Sequence, residues 1–141
     1  MARAAILTIA VMVLLAPGPA GAEHEVYYRY VVLGFVKDAR GHPVKGRTIE
    51  VVRNKTGFSY LAETDERGLY VAVARLGDES AGETLTVKAG TLTRSVTATF
   101  DPANHTDERG TRLDLDGAKF VERPAWFRST LVQALGERGG R

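Results

Sequence analysis

The chain contains no cysteine. That excludes disulfides as its framework and lipid attachment at a cysteine, so a hydrophobic core must hold it together. It also lacks a surplus of one charge, with 19 Lys and Arg against 17 Asp and Glu. A balance that close to zero argues against nucleic acid as a ligand and against an electrostatic membrane anchor. Long apolar runs are missing too: the uncharged stretch from Ala4 to Ala16 is thirteen residues, whereas a membrane-spanning helix needs about 20. Histidine and tryptophan are scarce, with three His and one Trp, which leaves few candidates for metal ligation or for a stacked aromatic platform.

What is present begins with that short apolar stretch. Arg3 precedes it, Pro17, Gly18 and Pro19 end it, and Ala20-Gly21-Ala22 follows. Basic, apolar, then small is the order of a cleavable signal peptide spanning residues 1–22, with Glu23 as the new N-terminus. The expected product is an exported protein, periplasmic or secreted. It retains 119 residues with a net charge of +1, one domain's worth.

Period-two alternation dominates the rest. Val26–Lys37 is rich in β-branched and aromatic residues and long enough for a strand bent at Gly34. Further strands are predicted at Arg47–Arg53, Gly57–Thr64, Gly68–Arg75, Glu83–Gly90, Thr91–Phe100 and Thr111–Gly117. In the sixth, Arg94 interrupts an otherwise apolar face. Seven short strands separated by turn signals predict an all-β sandwich of the immunoglobulin-like or transthyretin-like kind. Helical periodicity enters only at Pro124, so the expected organisation is a sandwich over 23–118 and a helical tail over 119–141.

The pentapeptide TDERG occurs at 64–68 and again at 106–110, and DARG at 38–41 shares its Asp-x-Arg-Gly form. Asp at the start of a turn accepts backbone N–H groups two or three residues on, and Gly supplies the left-handed conformation at the end. A calcium loop would place further carboxylates at alternate positions, but here arginine follows and repels a cation. Asp38, Gly41, Pro43, Asp65, Gly68, Asp107 and Gly110 are therefore read as turn residues.

These turns sit within a longer pattern. LGFVKDARGHPVKGRTIEVV followed by ETDERGLYVAVA resembles the carboxypeptidase regulatory-like domain, a small transthyretin-like β-sandwich. The matching residues are Gly34, Val36, Asp38, Gly41, Pro43, Gly46, Ile49, Thr64, Asp65, Gly68 and Tyr70. The resemblance covers about Val32–Val73 and implies an add-on module that folds, packs or binds without catalysis.

Catalytic patterns are missing. The hydrolases that share the transthyretin-like fold end in Tyr-Arg-Gly-Ser, whereas this chain ends in GERGGR. His24, His42 and His105 lie in separate segments without ligand-like spacing, and no serine has a Gly-x-Ser-x-Gly setting. No cofactor is expected. The reading is a noncatalytic module that binds or assembles with another extracytoplasmic protein. A carbohydrate-binding module is the alternative, and a transthyretin-like hydrolase is the less favoured third. The tail supplies the candidate docking residues: at 100° per residue, Phe127, Leu131, Ala134 and Leu135 form one stripe with Trp126 at its edge, between Pro124 and an expected stop at Gly136. That stripe either closes the domain's own sandwich or meets a partner.

Overall fold

The structure, a computed structural model, describes residues 25–139; residues 1–22, expected to be a signal peptide, and Glu23 and His24 lie outside the described residues. Eight strands form among them: β1 (Tyr30–Lys37), β2 (Thr48–Arg53), β3 (Phe58–Glu63), β4 (Leu69–Ala74), β5 (Thr84–Ala89), β6 (Leu92–Thr97), β7 (Gly110–Asp116) and β8 (Lys119–Glu122). The eighth exceeds the seven expected. Gly117, at φ +64°, turns the chain straight back, so that Leu115 pairs with Phe120 and Asp116 with Lys119. The first strand starts later than expected, because Val26–Tyr28 forms a 3-10 turn, and it runs through Gly34 without interruption. After β8 a 3-10 turn at Pro124–Trp126 leads into α1 (Phe127–Gly139). The helix passes Gly136 instead of ending there, since Gly136 does not take the positive φ with which a glycine closes a helix.

The strands make two four-stranded sheets, ordered β4-β1-β7-β8 and β3-β2-β5-β6. Every pairing is antiparallel except β1 with β7. Between the sheets lies the main core, where Tyr30, Val32, Tyr70, Leu113 and Leu115 from the first meet Ile49, Val51, Leu85, Val87 and Val96 from the second. Removing such side chains from water is the main driving force of the fold. The buried Tyr70 hydroxyl donates to the Leu113 carbonyl, so its polar end is satisfied. Burial pushes the Tyr30 hydroxyl pKa up to about 12.

The two sheets differ on their outer faces. On the second, β5 turns Thr84, Thr86 and Lys88 outward. On the first, β1 is buried on both sides: Val31 and Leu33 face away from the main core yet are 3% and 0% exposed. They form a second apolar cluster with Phe127 and Leu131 of α1, and Val71 packs against it. A run such as Val31-Val32-Leu33 is the sequence mark of a strand covered on both faces.

Arg94, the interruption in β6, points between the sheets. Its Nη1 donates to the Phe120 carbonyl at 3.2 Å, and its Nη2 lies 3.9 Å from Glu122. An inward charge at a sheet edge blocks pairing with a further strand, so the β6/β8 side of the sandwich is guarded. At the end of β2, Arg53 holds Glu83 through two hydrogen bonds of 2.8 and 2.7 Å. That contact draws the Glu83 carboxyl down to about 2.

Two of the three Asp-x-Arg-Gly strings form the same turn. Asp38 Oδ1 accepts the Arg40 and His42 N–H groups, and Asp65 Oδ1 accepts those of Arg67 and Leu69. Gly41 and Gly68 both take positive φ, +84° and +77°. Pro43 lies just beyond the first turn and bridges Lys37. The third string departs from this pattern. Asn104 takes the capping role, accepting the Thr106 and Asp107 N–H groups at 3.0 and 3.1 Å, while Asp107 receives the Asn104 side-chain amide. Gly110 has no positive φ and opens β7. The expectation that Asp107 and Gly110 make a turn is therefore corrected, because the Arg109 side chain between them is drawn into the domain.

Gly68 carries an additional demand. A Cβ there would lie 2.4 Å from the Val36 carbonyl oxygen, whereas at Gly57, φ +75°, it would meet nothing within 4 Å. Gly57→Ala is expected to cost about 1–2 kcal/mol for the left-handed backbone alone. Gly68→Ala should cost at least about 1 kcal/mol more, because the β4 entry must also shift. Paired urea melts measure this; equal losses would show that the close approach is without energetic consequence.

Candidate protein-docking site

The candidate stripe of the tail divides into two parts. Phe127 and Leu131 are 3% and 6% exposed and lie on Val31 and Leu33, with Ala134 and Thr130 also buried. Trp126 and Leu135 remain 54% and 55% exposed, one on each flank of the buried stripe. The helix is therefore anchored by part of its apolar face and leaves its flanks available.

The Trp126 flank is built with unusual care. β7 turns Asp114 toward the helix side, where sheets ordinarily carry apolar or solvated residues, yet Asp114 is only 2% exposed. A buried carboxylate is costly unless it is fully paired, and this one is. It accepts the Phe35 backbone N–H at 2.8 Å, the Nε and Nη2 of Arg112 at 3.0 and 2.9 Å, and Nη1 of Arg123. Arg112 also donates from Nη1 to Thr130 at 3.1 Å, and that hydroxyl in turn donates to the Trp126 carbonyl at 2.6 Å. The guanidinium carbons of Arg112 and Arg123 lie 5.2 and 5.8 Å from the centre of the Trp126 ring, and Arg112 is 5.0 Å from that of Phe35. These distances allow cation–π attraction. One carboxylate thus fixes two arginines, and the arginines fix an exposed indole. Sequence periodicity nominated Trp126; nothing local signalled that Asp114 would organise it, because Arg112, Asp114 and Arg123 meet only through the β7–β8 hairpin.

A second polar cluster lies at the turn before β1. The Arg109 side chain, 3% exposed, reaches Asp78 at 2.9 Å and the carbonyls of Tyr27 and Asn104 at 3.1 and 3.0 Å. It also stacks 4.2 Å from the Phe100 ring centre. His105, in the loop before β7, contacts Asp78 at 2.8 Å and stacks on Tyr27 at 4.3 Å. The hydrogen bond from Arg109, then that from His105, holds the Asp78 carboxyl below the usual range. His42 sits in the first turn beside Asp38, far along the chain from this pair. A cleft of about 390 Å³ opens next to Arg109 toward the start of α1. Two of its acids are paired with neighbouring cations, Asp107 with Arg128 at 3.2 Å and Glu108 with Arg29, and Asp101 accepts the Ala103 N–H. The cluster ties the Val26–Tyr28 turn to the β6–β7 loop. Among the described residues no group of three or more His, Asp or Glu side chains is placed to hold a metal ion, and no helix is long and apolar enough to cross a membrane.

Comparison with family models, curated proteins and solved structures gave no match. The class defined by the observed architecture is a mostly β chain of two packed four-stranded sheets with one short C-terminal helix.

Proposed function

We propose that the chain is an exported, noncatalytic β-sandwich module, similar to carboxypeptidase regulatory-like domains, that binds another extracytoplasmic protein through Trp126. The observation that carries this reading is an exposed indole held by Arg112 and Arg123 over a buried Asp114. Tryptophan and arginine are the residues most enriched among those that dominate protein–protein binding energy, and a side chain fixed before binding loses less entropy on contact. The signal-peptide pattern of residues 1–22 supports export, and the turn motifs at Asp38 and Asp65 support the family resemblance. The carbohydrate alternative fits less well. Among the tyrosines near β1, Tyr30 is in the core, Tyr27 is stacked on His105 and only Tyr28 is exposed, while Trp126 packs on arginines instead of beside a second ring.

Trp126→Ala tests the proposal. Affinity capture with the tagged protein is expected to recover its partner at least about 10-fold less well, in keeping with an anchor residue. The thermal midpoint should stay within about 3 °C of the parent, as expected for a half-exposed side chain. Unchanged recovery of the same partner would remove Trp126 from the interface and the proposal with it.

A further inference from the structure

The two open sides of the sandwich are protected unequally. On one side β8 is only four residues long and carries Lys119 and Glu122, and β6 turns Arg94 inward. On the other side lies β4, Leu69–Ala74, an edge strand of six residues with no charge and no proline. Short strands, inward charges and prolines are the devices that keep edges from pairing, and β4 has none of them.

Its backbone can be followed group by group. Val36 N–H donates to the Gly68 carbonyl at 2.8 Å, and Val31 N–H donates the opposite way, to the Arg109 carbonyl just before β7, at 2.8 Å. With the register Val31↔Val73, Val32↔Ala72 and Leu33↔Val71, antiparallel alternation aims the N–H and C=O of Val71 and Val73 away from β1. They point at the free edge. Leu69, next in that series, is already closed by the Asp65 turn. Above these valines a groove is lined by Val31, Val71, Val73, Leu131 and Leu135 together with the paired Arg29 and Glu108, and Val73 and Leu135 remain 45% and 55% exposed.

We infer that β4 is the contact strand of a two-fold dimer of this chain, separate from the Trp126 surface. The strand is complementary to itself. An antiparallel pair centred on Ala72 sets Val71 opposite Val73 of the second copy and the reverse, so the outward N–H and C=O groups of both copies satisfy one another. The side chains meeting on the helix side are then valines, which pair well across strands. Leu135 of each copy flanks that valine row, and no charged side chain of β4 meets its like. The two first sheets become one continuous sheet with a helix of each copy on the same face. A nearly balanced net charge (+2 for the whole chain) adds no general repulsion between copies.

Sedimentation and light scattering of the purified protein test this at about 100 µM, a concentration that populates any dimer of micromolar affinity. The expected result is twice the chain mass, with amide exchange at Val71 and Val73 slowing as concentration rises. Val73→Pro removes one of the edge donors, and Val73→Lys places a charge in the valine row; each is expected to return the mass to that of one chain with its melting profile retained. Should the proline variant fail to fold, the lysine variant decides. A wild-type protein that stays monomeric at this concentration overturns the inference. So does a dimer that survives Val73→Lys, since its contact would then lie elsewhere.

Discussion

A chain stopped after Glu122 is expected to lose most of its stability, with a thermal midpoint at least about 15 °C lower or no cooperative melt at all. Phe127 and Leu131 are buried against Val31, Leu33 and Val71, and burying a large apolar side chain contributes about 1.5–3 kcal/mol. Two such residues amount to about 3–6 kcal/mol, a large part of the 5–15 kcal/mol that holds a domain folded. The loss is doubled in kind, because the outer face of β1 would stand exposed. Each kcal/mol moves the midpoint of a domain of this size by several degrees. Circular dichroism melts of the truncated and full chains measure the difference. A midpoint within about 3 °C of the parent would mean that α1 is an appendage, and that its apolar face is needed only by a partner.

The second large effect is expected at Asp114. Replacing it with alanine leaves the Phe35 N–H without its acceptor and two guanidinium groups without their common anion, in a position only 2% exposed. Removing one partner from a buried ionic network costs about 3–5 kcal/mol, so Asp114→Ala should fall near the helix truncation in severity. Asp114→Asn keeps an acceptor for Phe35 while losing the charge, and should lie between. Trp126 is the only tryptophan in the chain and reports the event directly. Its emission should shift to the red and become easier to quench as Arg112 and Arg123 leave the ring. If stability falls while the emission stays as it was, Asp114 supports the sheet but does not organise the indole.

The strands were legible because their alternation is strong: Ile49 and Val51, or Leu85 and Val87, fall inward at a spacing of two and lie in the core. The region before β1 was misread for a physical reason. Val26-Tyr27-Tyr28 has high strand propensity, but the Tyr27 carbonyl is held by Arg109 and its ring by His105, both about eighty positions later. Propensity yields to such contacts. The hairpin to β8 did have a local sign, Asp116-Gly117, but only five residues follow it before Arg123. Two identical pentapeptides taking different shapes has the same origin. Thr64 is buried, accepting the Arg47 N–H and donating to Val44, whereas in the second copy the arginine is recruited by Asp78. At the candidate site the exposed indole was readable from helical spacing, while the carboxylate beneath it was not. Alternation places Asp114 on the outward side of β7, and only the later helix makes that side an interior.

The one parallel pairing, β1 with β7, has a consequence for when the molecule can be completed. The second sheet is complete once β6 has been made: β2 pairs with β3 and β5 with β6 as successive strands, and only β2 with β5 reaches across the two strands between them. The first sheet instead has an early strand at its centre, and Val31 waits for Gly110 and Val36 for Leu115. Closing so long a loop must precede any gain from the contact. A chain emerging residue by residue, from a ribosome or through a membrane pore, can therefore lay down one half of its core while the other stays open until β7 is delivered.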